Sequence, residues 1–582
     1  MILQALTKYY NSLHDEGKAP DYGFAYEKPS YLISIDVFGK LINITTLKED
    51  RMINKKTVKT APQREVPMPV VRSSNVNPQF LYDKSAYFFG ASQKSATKRD
   101  KKCFAESKSH HHKVLDGCDS PVAKAILSFF DNWEYDAEHE AILRCPEVIG
   151  EDFLIFDVMD YGIAHENESV RKAWEVYLMK ESSQNHMTCL VTGEKAPIAR
   201  IHMKAKGIRG TNPAGANLVS FKAPSTHSFG KQQGFIAPVS EQVNFAYNTA
   251  FNLLLKNDDS HCLIGTDTVV YWTEDLGNGT AQMLNFCLNP PNKREEKDRL
   301  IGHLERITKG FPVDNVNLKA SCHIIALSGN EGRFSIRYHL RDSLGFFLQN
   351  ISEHYQRLEI TKADFEPDIL TPQALLEETV NPNTRNKEPS PLLGGAVMRA
   401  ILNNTPYPDA LFKATLLRIR AVQDNRDKNI YKITRGRVAI VKACMLKMNL
   451  PQEDKEVLTI MLNQESNNKA YVLGRLFSVL ENIQEQANPG INATIKDRFF
   501  NAAGTTPLTV FPNLMRLSNH HLNKISNEGA VVNLNKSLSD LLGRLDVENN
   551  PFPAHLDIRE QGLFLLGYYH QTQYRFTKKE DK

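Results

Sequence analysis

The sequence predicts an α+β protein in which a mixed α/β N-terminal portion is followed by a C-terminal all-α helical bundle. Runs in which apolar and polar residues alternate, as in strands, occur before residue 370. Apolar stripes at helical spacing dominate after residue 391. The 582 residues also exceed the roughly 250–300 that one hydrophobic core accommodates. We therefore expect an α+β region at 1–370, a linker at 371–391 and a helical bundle at 392–582.

The N-terminal elements follow from local patterns. The first segment has the spacing of an amphipathic helix, with one face formed by Leu3, Leu6, Tyr10 and Leu13. An alternating run at 31–37, a turn at 39–40 and a second apolar run at 41–47 predict a β-hairpin. The basic stretch that follows ends in residues 92–112, which we expect to be a mobile loop. A helix is expected at 120–133, and further strands at 153–158, 268–272, 322–327 and 333–339.

The C-terminal portion is predicted to be a bundle because successive apolar stripes must be buried against one another. A stretch containing Pro and Asn at 379–391 precedes them, as expected of a linker. The stripes are Leu473, Leu476, Phe477, Leu480 and Ile483; then Phe511, Leu514, Leu517, Leu522 and Ile525; then Leu534, Leu538, Leu541 and Leu545.

The composition is that of an ordinary globular protein, with 41% hydrophobic and 24% charged residues. No apolar run reaches the roughly 18–20 residues of a membrane helix, and the N-terminus lacks the apolar core of a secretory signal. The eight cysteines include no C-x-x-C pair, so neither a disulfide framework nor a zinc ribbon is indicated. We expect a soluble, cytoplasmic protein that does not associate with membranes.

Positive charge is unevenly distributed, although the net charge is only +4. Residues 51–113 hold fourteen Lys or Arg and four Asp or Glu, whereas residues 195–240 hold seven Lys or Arg and no acidic residue. Regions depleted of carboxylates concentrate positive potential when they share a face, as binding to a phosphate backbone requires. The alternative is a solvated basic surface without a ligand, and for 51–113 the pattern does not choose between the two.

Enzyme signatures are almost absent. The chain has no G-x-x-x-x-G-K-[ST] phosphate loop, no G-x-G-x-x-G after a strand, no H-E-x-x-H and no G-x-S-x-G. The runs at 110–112 and 520–521 place histidines side by side without partners at metal-ligand spacing, so we predict no metal site. We expect no cofactor and no catalytic residue. Two alternatives from other classes are a metal-dependent nuclease with dispersed carboxylates and a structural adaptor that binds only proteins through the helical bundle.

One segment combines the residue types of a nucleic-acid cradle. Residues 189–234 intersperse glycines with Lys, Arg, Ser, Asn and Gln. Glycines let backbone N–H groups approach phosphate oxygens, basic side chains neutralise them, and amide or hydroxyl groups reach base edges and sugar hydroxyls. The same glycines would also suit simple strand turns, and the residues alone leave these two interpretations equal.

The chain resembles a known family along nearly its whole length. The segments CLVTGEKAPIARIH at 189–202 and SFGKQQG at 228–234, with 237–255 and 267–274 behind them, closely resemble the large subunit of the type I-C CRISPR Cascade complex, the Csd-type Cas8c family. Further similar stretches are MILQALTKYY at 1–10, NPQFLYD at 77–83, YFFG at 87–90, AYVLGRLFSVLE at 470–481 and LGYYHQ at 566–571. One accidental motif does not explain a match of this extent.

The resemblance implies a non-catalytic subunit of an RNA-guided surveillance complex in antiviral defence. Members of the family are understood to bind the 5′ end of a guide RNA, to recognise a protospacer-adjacent motif in duplex DNA and to aid R-loop formation. Guide pairing supplies sequence specificity, and the protein reads the short motif and the backbone. The implied partners are guide RNA, target double-stranded DNA, the backbone and guide-processing Cascade subunits, the small subunit, and a helicase-nuclease that the complex recruits.

Within this scheme the site residues are hypotheses. Polar side chains near Phe80 and Tyr82 are expected to read base edges in the DNA motif, namely Asn75, Asn77, Gln79 and Lys84. The alternative for Asn77 is that it only shapes the turn before Pro78. Contact with a nucleic-acid backbone is expected from Arg72, Lys204, Lys206, Arg209, Ser220, Lys222, Lys231, Gln232 and Gln233, and also from Arg333 and Arg337, for which surface salt bridging is the alternative.

The resemblance also implies an internal translation start. In this family the C-terminal region resembles the small Cascade subunit, which can be made separately. We predict a start at Met461, because residues 461–582 would then form a nearly all-helical product of the size of an independent domain. Met445 and Met448 are alternative starts. The alternative for Met461 itself is an ordinary core methionine.

Overall fold

The computed structural model describes residues 2–576, except 54–55, 71, 73–74, 94, 183–184, 277–279, 291–301, 305, 308–315, 386–387 and 546–549. Residue 1 of the predicted first helix, residue 94 of the predicted loop and residues 386–387 of the predicted linker therefore lie outside the described residues. The chain forms two compact units. The first comprises Met1–Ala205 and Asn217–Asn252, and the second comprises Lys206–Ala216 and Leu253–Lys582.

The described strands and helices confirm the predicted fold class, with strands and helices mixed in the N-terminal part and helices alone in the C-terminal part. The strands are β1 (Phe24–Glu27), β2 (Tyr31–Ile35), β3 (Leu41–Thr46), β4 (Glu49–Ile53), β5 (Lys56–Thr60), β6 (Arg64–Pro67), β7 (Tyr82–Lys84), β8 (Phe153–Val158), β9 (Gly162–Ile163), β10 (His186–Thr188), β11 (Lys195–Pro197), β12 (Lys204–Ala205), β13 (Ala216–Asn217), β14 (His261–Ile264), β15 (Asp267–Thr273), β16 (Ser321–Asn330) and β17 (Arg333–Ser343). The helices are α1 (Ile2–Asp15), α2 (Ser85–Phe88), α3 (Lys98–Leu115), α4 (Pro121–Asn132), α5 (Glu140–Arg144), α6 (Glu168–Glu181), α7 (Glu241–Lys256), α8 (Thr280–Leu288), α9 (Leu344–Leu358), α10 (Pro372–Glu377), α11 (Pro391–Leu402), α12 (Asp409–Ala421), α13 (Arg435–Leu446), α14 (Gln452–Lys455), α15 (Lys469–Ala487), α16 (Ile495–Ala503), α17 (Pro507–Leu522), α18 (Glu528–Gly543) and α19 (Ile558–Tyr574).

The first unit is built on a sheet with the strand order β3-β2-β8-β7, and β9 pairs with β8. β2 and β3 form the predicted antiparallel hairpin, while β2 runs parallel to β8 with Ile33 opposite Phe156. Because side chains alternate between the two faces of a strand, Ile33 and Ile35 of β2 enter the core. Helices α3 and α4 supply Cys103 and Phe129 to the same core. Separate antiparallel ribbons are formed by β1 with β6 and by β4 with β5.

The prediction of a mobile loop at 92–112 is wrong, because residues 98–115 form helix α3. Thr97 and Asp100 make a capping box at its start. The Asp100 N–H donates to Thr97 Oγ1 at 3.1 Å, and the Thr97 N–H donates to the Asp100 carboxylate at 2.9 Å. The buried face of the helix includes Ser107 and His111, so its helical period is not visible as a stripe of apolar residues.

The second unit contains an antiparallel sheet in which β14, β15, β16 and β17 are neighbours in that order. β15, β16 and β17 correspond to the strands predicted at 268–272, 322–327 and 333–339. Every residue of β15 is buried, which is why its sequence reads as a continuous apolar run. The register between β16 and β17 shifts between Ala326 and Leu327.

The C-terminal helices pack against one another through the apolar stripes that were predicted from the sequence. Glycines allow α15 and α19 to approach closely. A Cβ atom at Gly474 would lie 2.0 Å from the carbonyl oxygen of Phe564, and one at Gly567 would lie 2.1 Å from that of Tyr471. Any larger residue at either position would therefore separate the two helices. Among the residues that the structure describes, every helix is too short or too polar to span a lipid bilayer.

The segment 371–391, which was predicted to be a linker, contains a helix that packs in the core. It contains helix α10, in which Leu375 and Leu376 are buried in the same core as Leu344 and Leu473. Gln373 accepts the Gly265 N–H at 2.7 Å, which ties α10 to the turn between β14 and β15. The compact units do not divide at this segment. A functional boundary at 371–391 stays a prediction.

Candidate nucleic-acid interface

The loop that carries the proposed base readers is held by a buried ion pair between Arg72 and Asp83. Arg72 Nη1 donates to Asp83 Oδ1 at 2.8 Å, and Nη2 donates to Oδ2. The carboxylate is completely buried and also accepts the backbone N–H groups of Gln79 and Lys84, each at 2.8 Å. Burial raises the pKa of Asp83, and the guanidinium and the two N–H groups oppose that rise. The ion pair thus connects Arg72 to β7 and to the backbone of Gln79.

The remaining contacts of Arg72 are also internal to the chain. Its Nε donates to the carbonyl oxygen of Asn77 at 2.6 Å, and its guanidinium lies 3.9 Å from the centroid of the Tyr87 ring. The side chain is only 18% exposed. We predicted that Arg72 contacts a nucleic-acid backbone, but its guanidinium is already engaged, and this geometry supports a positioning role instead.

Of the four proposed base readers, the structure exposes Asn75 and Asn77. Gln79 is only 4% exposed, and its amide Nε2 lies 3.5 Å from the carbonyl oxygen of Val70. Lys84 forms an ion pair with Glu151. In this conformation Gln79 is not available to a base edge, and Lys84 already has an anionic partner.

The two aromatic residues of the same segment belong to the core. Phe80 is 1% exposed and stacks on Trp174 with a centroid distance of 5.0 Å. Tyr82 is 3% exposed and stacks on Phe153 at 4.7 Å. The two rings are therefore core residues, and the role of the nearby polar residues in reading base edges stays a prediction. Phe80 and Tyr82 pack in the interior, whereas the side chains of Asn75 and Asn77 are exposed to solvent.

His111 fixes the far end of this loop. The Leu81 N–H donates to His111 Nε2 at 3.1 Å, so Nε2 carries no proton, and Nδ1 donates to the carbonyl oxygen of Ser107 at 2.7 Å. Leu81 needs this support because its φ of +50° lies in the left-handed region, which branched side chains disfavour. Burial, with a smaller contribution from His110, lowers the pKa of His111 to about 3. The histidine is thus a neutral structural residue of helix α3.

A second group of predicted residues surrounds a pocket of about 710 Å³ in the first unit. We call it the cationic pocket, and it is lined by Asn185, His186, Met187, Lys195, Arg200, Gly230, Lys231, Gln232, Gln233 and Phe235. Three of these residues are cations, and none of the described lining residues is acidic. The pocket therefore offers positive charge and amide groups together, which suits a phosphorylated ligand.

Two chain segments form the walls of the cationic pocket. One is the antiparallel hairpin of β10 and β11, in which His186 pairs with Pro197. The other is the loop before the short 3₁₀ helix Gln233–Ile236, which the Gly234 N–H ties to the carbonyl oxygen of Arg200 at 2.9 Å. A Cβ atom at Gly234 would lie 2.1 Å from the carbonyl oxygen of Ala199, so only glycine permits this approach.

The turn of the β10–β11 hairpin is fixed by Cys189. Its buried Sγ atom accepts the N–H groups of Val191 and Ser240, each at 3.4 Å. Burial alone would raise the pKa of this thiol, but the backbone N–H groups around it outweigh burial and lower the pKa. The cysteine thus joins the hairpin to the segment that leads into α7. Within the described ranges, no group of three or more His, Cys, Asp or Glu residues is arranged to hold a metal ion.

The structure brings Lys231, Gln232 and Gln233 together, as predicted for backbone contacts, and adds Lys195 and Arg200 to them. Both added cations belong to the acid-free stretch 195–240, which was the signal that could have identified them. No comparable sequence pattern identified Asn185 and His186 as residues that line the pocket. Lys204, Ser220 and Lys222 belong to the first unit but do not line the pocket.

The other predicted backbone contacts lie in the second unit. Arg209 forms an ion pair with Glu388 at 3.0 Å and donates to the carbonyl oxygen of Gly265 at 3.1 Å. Arg337 donates to Ser328 Oγ at 2.9 Å and lies 3.8 Å from the buried carboxylate of Asp267. For Arg337 the salt-bridge alternative therefore describes the observed contacts.

Lys206 and Arg333 are exposed. They belong to the second unit, whereas every residue that lines the cationic pocket belongs to the first. Their roles stay predictions.

Met461 lies between helices α14 and α15 and is 62% exposed. The alternative of an ordinary core methionine is thus wrong. Met445 is completely buried in α13, and Met448 follows the end of that helix. A chain that begins at Met461 would contain α15 to α19 without cutting through a helix.

The chain is thus an α+β protein whose candidate binding features are the cationic pocket and the segment that carries Asn75 and Asn77. The family model described as CRISPR-associated protein (Cas_Csd1) matches residues 6–576. Because the match covers nearly the whole chain, the protein belongs to this family of CRISPR-associated proteins, and the type I-C resemblance read from the sequence is confirmed. No curated protein matches the chain.

Proposed function

We propose that this protein is the non-catalytic large subunit of a type I-C RNA-guided surveillance complex. In this role it holds the 5′ end of the guide RNA, recognises the protospacer-adjacent motif in duplex DNA, aids R-loop formation and recruits a helicase-nuclease. Membership of the Csd1 family supports the setting. The cationic pocket is the single observation that carries the nucleic-acid-binding role.

The chemistry of the pocket supports a phosphate backbone as its ligand. Lys195, Arg200 and Lys231 line one concave surface, and no ion pair joins any of them to a carboxylate of the described residues. Cations without internal partners gain most from an external anion, because a phosphate then replaces only water and counterions. The amide groups of Gln232 and Gln233 add donors and acceptors for sugar hydroxyls or base edges.

The loop that carries the proposed base readers supports a separate role in motif recognition. Asn75 and Asn77 are exposed on a segment whose ends are fixed by Asp83 and His111. An asparagine side chain pairs well with adenine, and a fixed backbone lets such a pair discriminate between bases. In this proposal the loop recognises the DNA motif, and the cationic pocket binds the nucleic-acid backbone.

The test of the nucleic-acid-binding role is the salt dependence of binding. We expect Lys195→Glu with Lys231→Glu to weaken binding of the assembled complex to guide RNA or target DNA. The logarithm of affinity should also fall less steeply with the logarithm of salt, by about 0.7–0.9 per lost phosphate contact. Lys172→Glu is the matched control, because Lys172 is exposed on α6 and does not line the pocket.

An unchanged slope in the double variant, with the control also unchanged, would exclude the cationic pocket as the backbone site. Incubation of the purified chain with labelled DNA and RNA in magnesium or manganese tests the non-catalytic part of the proposal. Cleavage that survives rigorous purification would favour the metal-dependent nuclease instead.

A further inference from the structure

Phe229 occupies an unusual position at the tip of a tight turn next to the cationic pocket. Its side chain is 97% exposed. The turn is closed by the Lys231 N–H, which donates to the carbonyl oxygen of Ser228 at 2.9 Å. Phe229 and Gly230 have φ values of +51° and +69°, as in a type I′ turn. Glycine adopts this conformation freely, whereas a phenylalanine is strained in it.

No contact within the described residues compensates for this strain. Across the part of the chain that the structure describes, no aromatic ring or hydrophobic core cluster contacts Phe229. A large apolar side chain held in an unfavourable backbone conformation and in full contact with water stabilises neither the turn nor the core. The physical function of the ring must therefore lie in contact with another molecule.

The surroundings of Phe229 indicate what kind of molecule this is. The two residues that follow it in the turn, Gly230 and Lys231, line the cationic pocket together with Lys195 and Arg200. An exposed aromatic ring beside cations that lack acidic neighbours is the combination that binds single-stranded nucleic acid. The ring stacks on the face of a base, and the cations bind the phosphates on either side.

We propose that Phe229 is a stacking platform for an unpaired nucleobase whose flanking phosphates occupy the cationic pocket. This inference rests on the proposed nucleic-acid-binding function and adds the chemical class of the ligand, which is a single-stranded nucleotide segment with an accessible base. The segment can come from the unpaired end of the guide RNA or from a DNA strand opened beside the motif. Both sources present the same aromatic face and the same phosphates.

The test uses 2-aminopurine, whose fluorescence falls when it stacks on an aromatic ring. In the assembled complex, the probe is placed singly along the unpaired 5′ segment of the guide in one set of samples. In a second set, it is placed along each DNA strand next to the motif. We expect quenching at one position in one set, and that set identifies the source of the base.

Phe229→Gly is the decisive variant, because glycine suits the positive φ and deletes only the ring. We expect it to abolish the quenching and to weaken binding of a single-stranded oligonucleotide by about 5- to 100-fold. The melting temperature of the protein should stay the same or rise. Phe229→Trp should preserve the quenching, since it keeps an aromatic face. An abasic site at the quenched position should reduce binding by the unmodified protein but not by Phe229→Gly.

Phe38→Gly is the matched control, because Phe38 is 78% exposed in the β2–β3 turn and does not line the pocket. It should leave quenching and affinity unchanged. The proposal is overturned if Phe229→Gly leaves quenching at every position and oligonucleotide affinity within twofold, or if it impairs only assembly with protein subunits. An unchanged salt dependence of binding in the Lys195→Glu, Lys231→Glu protein would instead reject the proposed function itself, so the two failures are distinguishable.

Discussion

The guanidinium of Arg72 and the buried carboxylate of Asp83 form a two-point ion pair that closes the loop carrying Asn75 and Asn77. Asp83 also accepts the backbone N–H groups of Gln79 and Lys84, so one carboxylate connects Arg72 to the backbone that follows the asparagines. Arg72 also donates to the carbonyl oxygen of Asn77, so the ion pair fixes the backbone beside one of the two exposed asparagines.

Replacement of Arg72 by alanine should damage both stability and motif recognition. Removing one partner of a buried ion pair leaves an unpaired charge, which costs about 3–5 kcal/mol in the free energy of unfolding. We expect chemical denaturation to show a loss of this order and binding titrations to show weaker discrimination between right and wrong motifs. Lys84→Ala is the control, because it breaks only the more exposed pair with Glu151. Equal losses in the two variants would contradict the positioning role.

Replacement of Asn75 or Asn77 by alanine should relax motif discrimination without altering the fold. Both side chains are exposed, so the free energy of unfolding should change by less than about 0.5 kcal/mol. A lost bidentate contact with a base should reduce discrimination between motifs by about 1–3 kcal/mol. Titration of the assembled complex with DNA carrying the right and the wrong motif measures this difference. Unchanged discrimination in both variants would remove these residues from the reading role.

Acidification should destabilise the first unit through His111. Its pKa of about 3 in the folded protein lies below the ordinary value of 6.5, so the folded state takes up fewer protons than the unfolded state between these values. Its contribution to stability is therefore complete above pH 6.5 and is lost as the pH falls towards 3. We expect the free energy of unfolding of His111→Gln to fall less steeply on acidification than that of the unmodified protein. The difference in slope should be up to about 1.4 kcal/mol per pH unit.

His112 provides the control of opposite sign for this pH experiment. Burial is the largest single influence and lowers the pKa of His112, but the hydrogen bonds and negative charges of Asp116 and Asp131 together outweigh burial and raise the pKa. Its contribution is therefore present below pH 6.5 and is lost as the pH rises through the folded value. His112→Gln should therefore change the slope only above pH 6.5, whereas His111→Gln should make the loss between pH 6.5 and 3 shallower. The same slope in both variants would contradict the assignment of His111 as a neutral structural residue.

Replacement of Met461 by leucine should abolish a separate C-terminal product in cells. We expect a product of residues 461–582 because Met461 is exposed and precedes α15, so the product begins outside a helix. Immunoblotting with a C-terminal tag detects it next to the full-length chain. The variants Met445→Leu and Met448→Leu should still yield it. Persistence of the short product in Met461→Leu would reject this start.

Helix α3 illustrates why part of the fold was missed. Its capping box, Thr97 with Asp100, was present in the sequence, but its buried face uses small and polar residues that carry no apolar period. The hairpin of β2 and β3, strand β15 and the stripe of α15 were predicted correctly because each buries a regular apolar pattern. Elements that bury polar groups depend on partners elsewhere in the chain, which local patterns do not report.

The residues of the candidate site were also predicted only in part. Lys231, Gln232 and Gln233 were recognised from a glycine-rich, acid-free segment, and they do line a common pocket. Lys195 and Arg200 join them in a fold in which Gly234 packs closely against the backbone of Ala199 and Arg200, just after β11. Neither that approach nor the strained turn at Phe229 leaves a signal in composition or spacing.

The sequence by itself determined the fold class, the family and the acid-free stretches, because these depend on residue types and on their order along the chain. The tertiary structure alone decided which charges line a pocket without acidic residues and which are paired internally. Arg72 and Lys231 look alike in the sequence, yet one is paired with a buried carboxylate and the other lines a pocket without acids. The physical reason is that the free energy of a charge depends on its burial and on its neighbours in space.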